Sequence, residues 1–60
     1  MEENVTYTVD QLREFGLNNQ RKLRENAEIY IKDDKVYFFE QLDSEHLRLY
    51  TVINKRSFFL

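Results

Sequence analysis

Cysteine, proline and tryptophan are missing from this 60-residue chain, and glycine and histidine occur once each. Without cysteine there is no disulfide and no thiolate metal site. The single His46 cannot assemble a histidine zinc site unaided. One glycine rules out a glycine-rich phosphate loop. No apolar run approaches the roughly 18 residues of a membrane span, and the acidic start Met1-Glu2-Glu3-Asn4 lacks the basic-then-apolar layout of a signal peptide. No nucleophile and base stand together in a catalytic arrangement. The expectation is a cytoplasmic, non-enzymatic protein with no cofactor, no metal and no small-molecule substrate.

What is present is core material. The chain is 42% hydrophobic and carries five Phe and four Tyr, which argues for a folded domain over a disordered tail. Sixty residues make one domain, residues 1–60. A domain of this size buries only roughly 60% of the surface its unfolded chain exposes. With no disulfide or metal to staple it, association is the remaining aid, so a homodimer or a partner protein is expected. Ala, Gly and Pro together amount to Gly16 and Ala27, while Asn, Lys, Tyr and Phe are plentiful. An AT-rich genome encodes such a composition, for instance a low-GC bacterium or its phage.

The net charge of −2 speaks against a uniformly basic nucleic-acid binder, but the charges are segregated. Residues 11–25 hold Arg13, Arg21, Lys22 and Arg24 against Glu14 and Glu25, and residues 46–60 hold Arg48, Lys55 and Arg56 with no acid. The acids concentrate in residues 1–10 and 26–45. Basic patches can therefore exist on an acidic protein.

Val5 and Tyr7 alternate with polar neighbours and open the chain as a short strand. Thr8 and Gln11 have capping-box spacing. Val9, Leu12 and Phe15 then mark one face of a two-turn helix, and Gly16 stands where a left-handed stop belongs. Asn18 or Asn19 can cap a second helix running to about Asn26, with Leu23 and Ala27 as a thin apolar face.

The clearest signal is a hairpin over Ile29–Phe39 turning at Asp33-Asp34. Closing it there sets Ile31 opposite Val36, Tyr30 opposite Tyr37 and Ile29 opposite Phe38, with the aliphatics and Phe38 on one face and the tyrosines on the other. Residues 47–53 predict a third strand with Leu47, Leu49, Thr51 and Ile53 on one face. Ser57-Phe58-Phe59-Leu60 predicts a short edge strand, closing its own sheet or pairing with a second copy across a two-fold axis. The expected fold class is α+β: two short N-terminal helices packed on a three- to four-stranded antiparallel sheet.

Thr8-Val9-Asp10-Gln11-Leu12, the turn Phe15-Gly16-Leu17 and Asn19-Gln20-Arg21-Lys22-Leu23-Arg24, followed by a strand pair, are the order of a helix-turn-helix with a wing. Over residues 8–39 the chain resembles the small winged-helix DNA-binding proteins of phages and mobile elements, excisionases among them. The resemblance implies that the second helix would lie in the major groove, with Asn19 and Gln20 reading base edges and Arg21, Lys22 and Arg24 contacting phosphate or bases. Lys32 and Lys35, in the wing loop, would meet phosphate.

A second reading is a protein-binding regulator, such as a phage-encoded inhibitor of a host protein. Here Tyr30, Tyr37 and Phe39 on the hairpin's aromatic face, with Phe58 and Phe59 of the tail, would form the docking surface, or an exposed edge strand would. His46, beside Asp43 and Glu45, stands in a polar loop where solvation is the ordinary fate, and Asp in turns has an ordinary role in capping its own backbone.

Overall fold

The computed structural model describes residues 1–17 and 19–58, with Asn19 described by its backbone alone. The elements are β1 (Thr6–Thr8), α1 (Val9–Glu14), β2 (Asn19–Arg24), β3 (Ala27–Lys32), β4 (Lys35–Gln41), β5 (His46–Asn54) and α2 (Lys55–Phe58). Among the described residues the strands form one antiparallel sheet in the order β1-β5-β4-β3-β2. The protein is thus mostly β, with helices of only six and four residues. The expected pair of N-terminal helices on a three- to four-stranded sheet is not formed.

Local chemistry does build α1. The Gln11 amide donates to Thr8 Oγ1 at 3.1 Å, and the Thr8 amide donates to Gln11 Oε1 at 2.8 Å, completing the capping box. At the other end Gly16 takes φ +84°. Its amide donates to the Arg13 carbonyl at 2.9 Å and that of Leu17 to the Leu12 carbonyl at 2.9 Å. These are the two bonds of a Schellman stop, and its usual apolar contact is supplied by Leu12 and Leu17, buried in one core cluster.

Residues 19–24 are a strand, which corrects the expected second helix. Four consecutive residues of β3, Glu28 to Ile31, are buried, so its backbone groups need partners on both sides. β2 supplies them on one side, pairing Asn19 with Ile31, Gln20 with Tyr30 and Arg21 with Ile29. A helix would have buried little beyond Leu23 and Ala27. The ladder outweighs the helix propensity of Arg, Lys and Leu. β2 becomes an edge of the sheet, where cationic side chains deter pairing with other chains.

The β3–β4 hairpin has the expected register, with Ile31 opposite Val36, Tyr30 opposite Tyr37 and Ile29 opposite Phe38. Asp33 adopts φ +55° in its turn, a conformation that Asp tolerates better than most residues. β5 departs from expectation. Phe38 pairs with Thr51 but Phe39 with Leu49, so Tyr50 is the extra residue of a bulge. Leu47 and Leu49 therefore share a face with Val52, while Thr51 and Ile53 lie on the opposite one. The chain after Asn54 turns into α2 and not into the expected edge strand; Phe59 and Leu60 lie outside the described residues.

The sheet is apolar on both sides. The chain leaves β1 at one edge, crosses the first face as α1 and enters β2 at the other edge. Leu12 and Leu17 thereby cover Tyr30, Phe39, Leu47 and Leu49. On the second face Ile29, Ile31 and Val36 are buried, with Phe38, Ile53 and Phe58 packed against them. The Phe58 ring on α2 meets Phe38 edge-on at 5.4 Å. Tyr30, Phe39, Phe38 and Phe58 are thus placed in these two layers.

Candidate nucleic-acid interface

α2 lies at one end of the second face; among the described residues no element covers the other end. There an open depression of about 290 Å³ lies over Ala27 and Phe38, walled by Leu23 and Tyr50 and rimmed by Arg24 and Arg48. Two bulges create its walls. Leu23 interrupts the register of β2 between Lys22 and Arg24, and Tyr50 interrupts β5. A bulge re-aims the side chain it carries. Leu23 is 49% exposed and Tyr50 68% exposed, the latter the most open of the large apolar side chains among the described residues. With β3 and β4 between them, the two walls stand three strand spacings apart, roughly 14 Å.

The lining holds Arg24 and Arg48 with Glu28 and Glu40; the Glu28 side chain turns to the first face. Arg24 pairs with Ala27 and Arg21 with Ile29, so both belong to this second face. Arg48 faces Glu40 across β4–β5 and donates from Nη2 to Glu40 Oε1. A guanidinium carries five N–H donors, so this bond orients Arg48 and leaves others for a ligand. Among the described residues Arg21, Lys22 and Arg24 have no ion pair with any carboxylate.

The residues expected to carry function are distributed differently. Asn19, Gln20, Arg21, Lys22 and Arg24 all lie on β2, where alternation splits them. Gln20 and Lys22 turn to the first face, opposite Tyr30 and Glu28. The Gln20 side-chain amide donates to the buried Glu28 carboxylate. Lys32 donates from Nζ to the Phe15 carbonyl at 2.6 Å, and Lys35 to Asn54 Oδ1 at 3.2 Å. These two lysines tie the hairpin to its neighbours. Arg21 and Arg24 remain together on the second face, joined by Arg48, which the sequence reading did not single out.

The aromatic docking surface is not assembled. Tyr30 and Phe39 are 6% and 2% exposed, their rings edge-to-face at 5.4 Å beneath α1. Burial, with the Glu28 charge second, pushes the Tyr30 hydroxyl above its ordinary pKa. Tyr37 packs against the same core, and Phe58 is half-buried on α2. Phe59 lies outside the described residues. Leu23, Phe38, Arg48 and Tyr50 are the residues that the reading missed. A signal for Tyr50 was present: Leu47, Leu49 and Val52 break the two-residue alternation once, as a bulge requires.

Elsewhere, Asp43 caps the β4–β5 loop. Its Oδ1 accepts the Glu45 and His46 amides at 2.8 and 2.9 Å and lies 2.9 Å from His46 Nδ1. The Glu45 amide foremost, then the His46 side chain, hold its carboxyl below the ordinary aspartate value. Among the described residues no group of three or more His, Asp or Glu side chains could hold a metal ion, and no helix is long and apolar enough to cross a membrane.

No protein-family model matches the chain, and neither a curated protein nor a solved structure matches it.

Proposed function

We propose that this protein is a small non-enzymatic DNA-binding protein that works through its sheet, with the β2 edge and the open end of the second face as the contact surface. The observation that carries this reading is that Arg24 and Arg48 line the same depression as the exposed Tyr50, with Arg21 on the same face further along β2. Arginine forks hydrogen-bond phosphate oxygens bidentately, and a sheet face bearing an exposed aromatic among cations has the makings of a nucleic-acid platform. Of the acids, Glu40 lines the depression bonded to Arg48, Glu28 is buried against Gln20 and Glu25 stands at the β2–β3 tip, while Asp10, Asp33, Asp34 and Asp43 lie on α1, the hairpin turn and the β4–β5 loop.

The test is fluorescence anisotropy of labelled oligonucleotides at low salt, repeated across a salt series. Two or three arginine–phosphate contacts predict a log–log salt slope of about −1.4 to −2.7, spanning single strands and duplex. The double variant Arg21→Glu/Arg24→Glu is expected to lose binding while keeping the wild-type circular dichroism, because both side chains are exposed. Wild-type protein that binds neither single-stranded nor duplex DNA at low salt refutes the reading.

A further inference from the structure

We infer that the DNA this surface takes is single-stranded, and that one unpaired base enters the depression and stacks on Tyr50. The inference rests on the DNA-binding reading and specifies its ligand. Reading a duplex needs a helix or a two-stranded ribbon that fits the major groove. α1 is six residues long, its buried Leu12 commits it to the first face, and its outward charges are mixed, with Asp10 and Arg13 paired. α2 has four residues and packs on the second face through Phe58. The β2–β3 ribbon carries Arg21, Lys22 and Arg24 with Glu25 at its tip and Glu28 buried, so its charge suits either form of DNA and the choice rests on the depression.

The open end of the second face is where the two forms of DNA differ. Its floor has apolar Ala27 and Phe38 beside Glu40, which is held by Arg48, and its walls are the exposed Leu23 and Tyr50 side chains. A base still paired and stacked in a duplex offers no free face to such a site, whereas an unpaired base offers one to any aromatic ring. Arg24 on the β2 side and Arg48 on the β5 side flank the depression, placed to hold the phosphates that precede and follow the inserted base. Arg21 extends the cationic track along β2. The apolar centre needs an occupant with a π-face and the cationic rim needs negative charge, and a single strand supplies both in one chain. An acidic peptide would satisfy the rim alone.

The experiment compares oligo(dT) with a duplex of equal length, using wild type and the variants Tyr50→Ala and Tyr50→Phe. Tyr50 is 68% exposed, so neither variant is expected to disturb folding. The expected result is tighter binding of oligo(dT) than of duplex, a loss of about tenfold for Tyr50→Ala and near wild-type affinity for Tyr50→Phe, since stacking needs the ring and not the hydroxyl. Because the chain has no tryptophan, Tyr50→Trp adds a single reporter whose fluorescence should be quenched by oligo(dT). Equal affinity for duplex, or an unchanged affinity in Tyr50→Ala, overturns the inference while leaving DNA binding intact. Binding of poly-glutamate as tight as that of oligo(dT) overturns it too, by showing that charge alone is recognised. Failure of wild type to bind any DNA removes the underlying reading as well.

Discussion

Replacing Leu12 by alanine should cost this protein a large fraction of its stability, and replacing Leu23 should cost it little. A six-residue helix is far below the roughly 12–15 residues at which isolated helices become marginal in water, so α1 depends on its caps and its docking. Leu12 is the buried residue of α1, 1% exposed, and sits with Leu17, Tyr30, Phe39, Leu47 and Leu49. Deleting three buried carbons removes about 2.4 kcal/mol of transfer free energy at ~0.8 kcal/mol each. The cavity left behind brings the usual Leu→Ala cost to about 3–5 kcal/mol. At ~0.05–0.15 kcal/mol per residue, a chain of this length has only about 3–9 kcal/mol in total. With a urea m-value of about 1 kcal/mol/M, the midpoint should fall by about 3–5 M, read by far-ultraviolet circular dichroism. Leu23 is 49% exposed, and its truncation should shift the midpoint by about 0.5 M or less. The contrast discriminates between folds, because in a helix-turn-helix Leu23 would be the packing anchor of the second helix. Comparable losses in Leu12→Ala and Leu23→Ala would refute the assignment of residues 19–24 to an edge strand.

Four further outcomes are expected. Gly16→Ala should lower stability by about 1–2 kcal/mol through left-handed strain at φ +84°, and Gly16→Asn by less; equal urea midpoints for Gly16→Ala and wild type would contradict the Schellman stop. Thr8→Ala should cost about 1 kcal/mol through loss of the capping box and Thr8→Ser should recover most of it, as thermal melts will show. Asp43 is held below its ordinary value of 3.8, so its contribution is present above that pH and is lost as pH falls through the depressed value. The acid-unfolding profiles of wild type and Asp43→Asn should therefore converge at low pH, and a constant gap would disprove the role. Tyr30 is raised above 10.0, so its contribution is complete below pH 10 and is lost as pH rises through the raised value; Tyr30→Phe should remove a step above pH 10 from a tyrosinate absorbance titration, and an unchanged titration would contradict the assignment.

Features whose cause lies within a few residues were legible in the chain. The capping box from Thr8 to Gln11 and the left-handed stop at Gly16 are local hydrogen-bonding and steric facts, realised as expected. The β3–β4 register was also legible, because a short turn leaves a period-two pattern only one way to bury Ile29, Ile31, Val36 and Phe38 together. The state of residues 19–24 was decided only by the tertiary structure. Asn-Gln-Arg-Lys-Leu-Arg has helix formers, caps and no strand alternation, and becomes a strand because β3, buried along Glu28–Ile31, needed backbone partners on that side. The candidate site was hidden for the same reason. Leu23, Arg48 and Tyr50 lie up to 27 positions apart in the chain and meet only because two bulges, on strands separated by β3 and β4, turn toward one depression. The broken alternation of Leu47, Leu49 and Val52 marks the Tyr50 bulge in the sequence, but the Leu23 bulge depends on how β2 registers with β3, a long-range property.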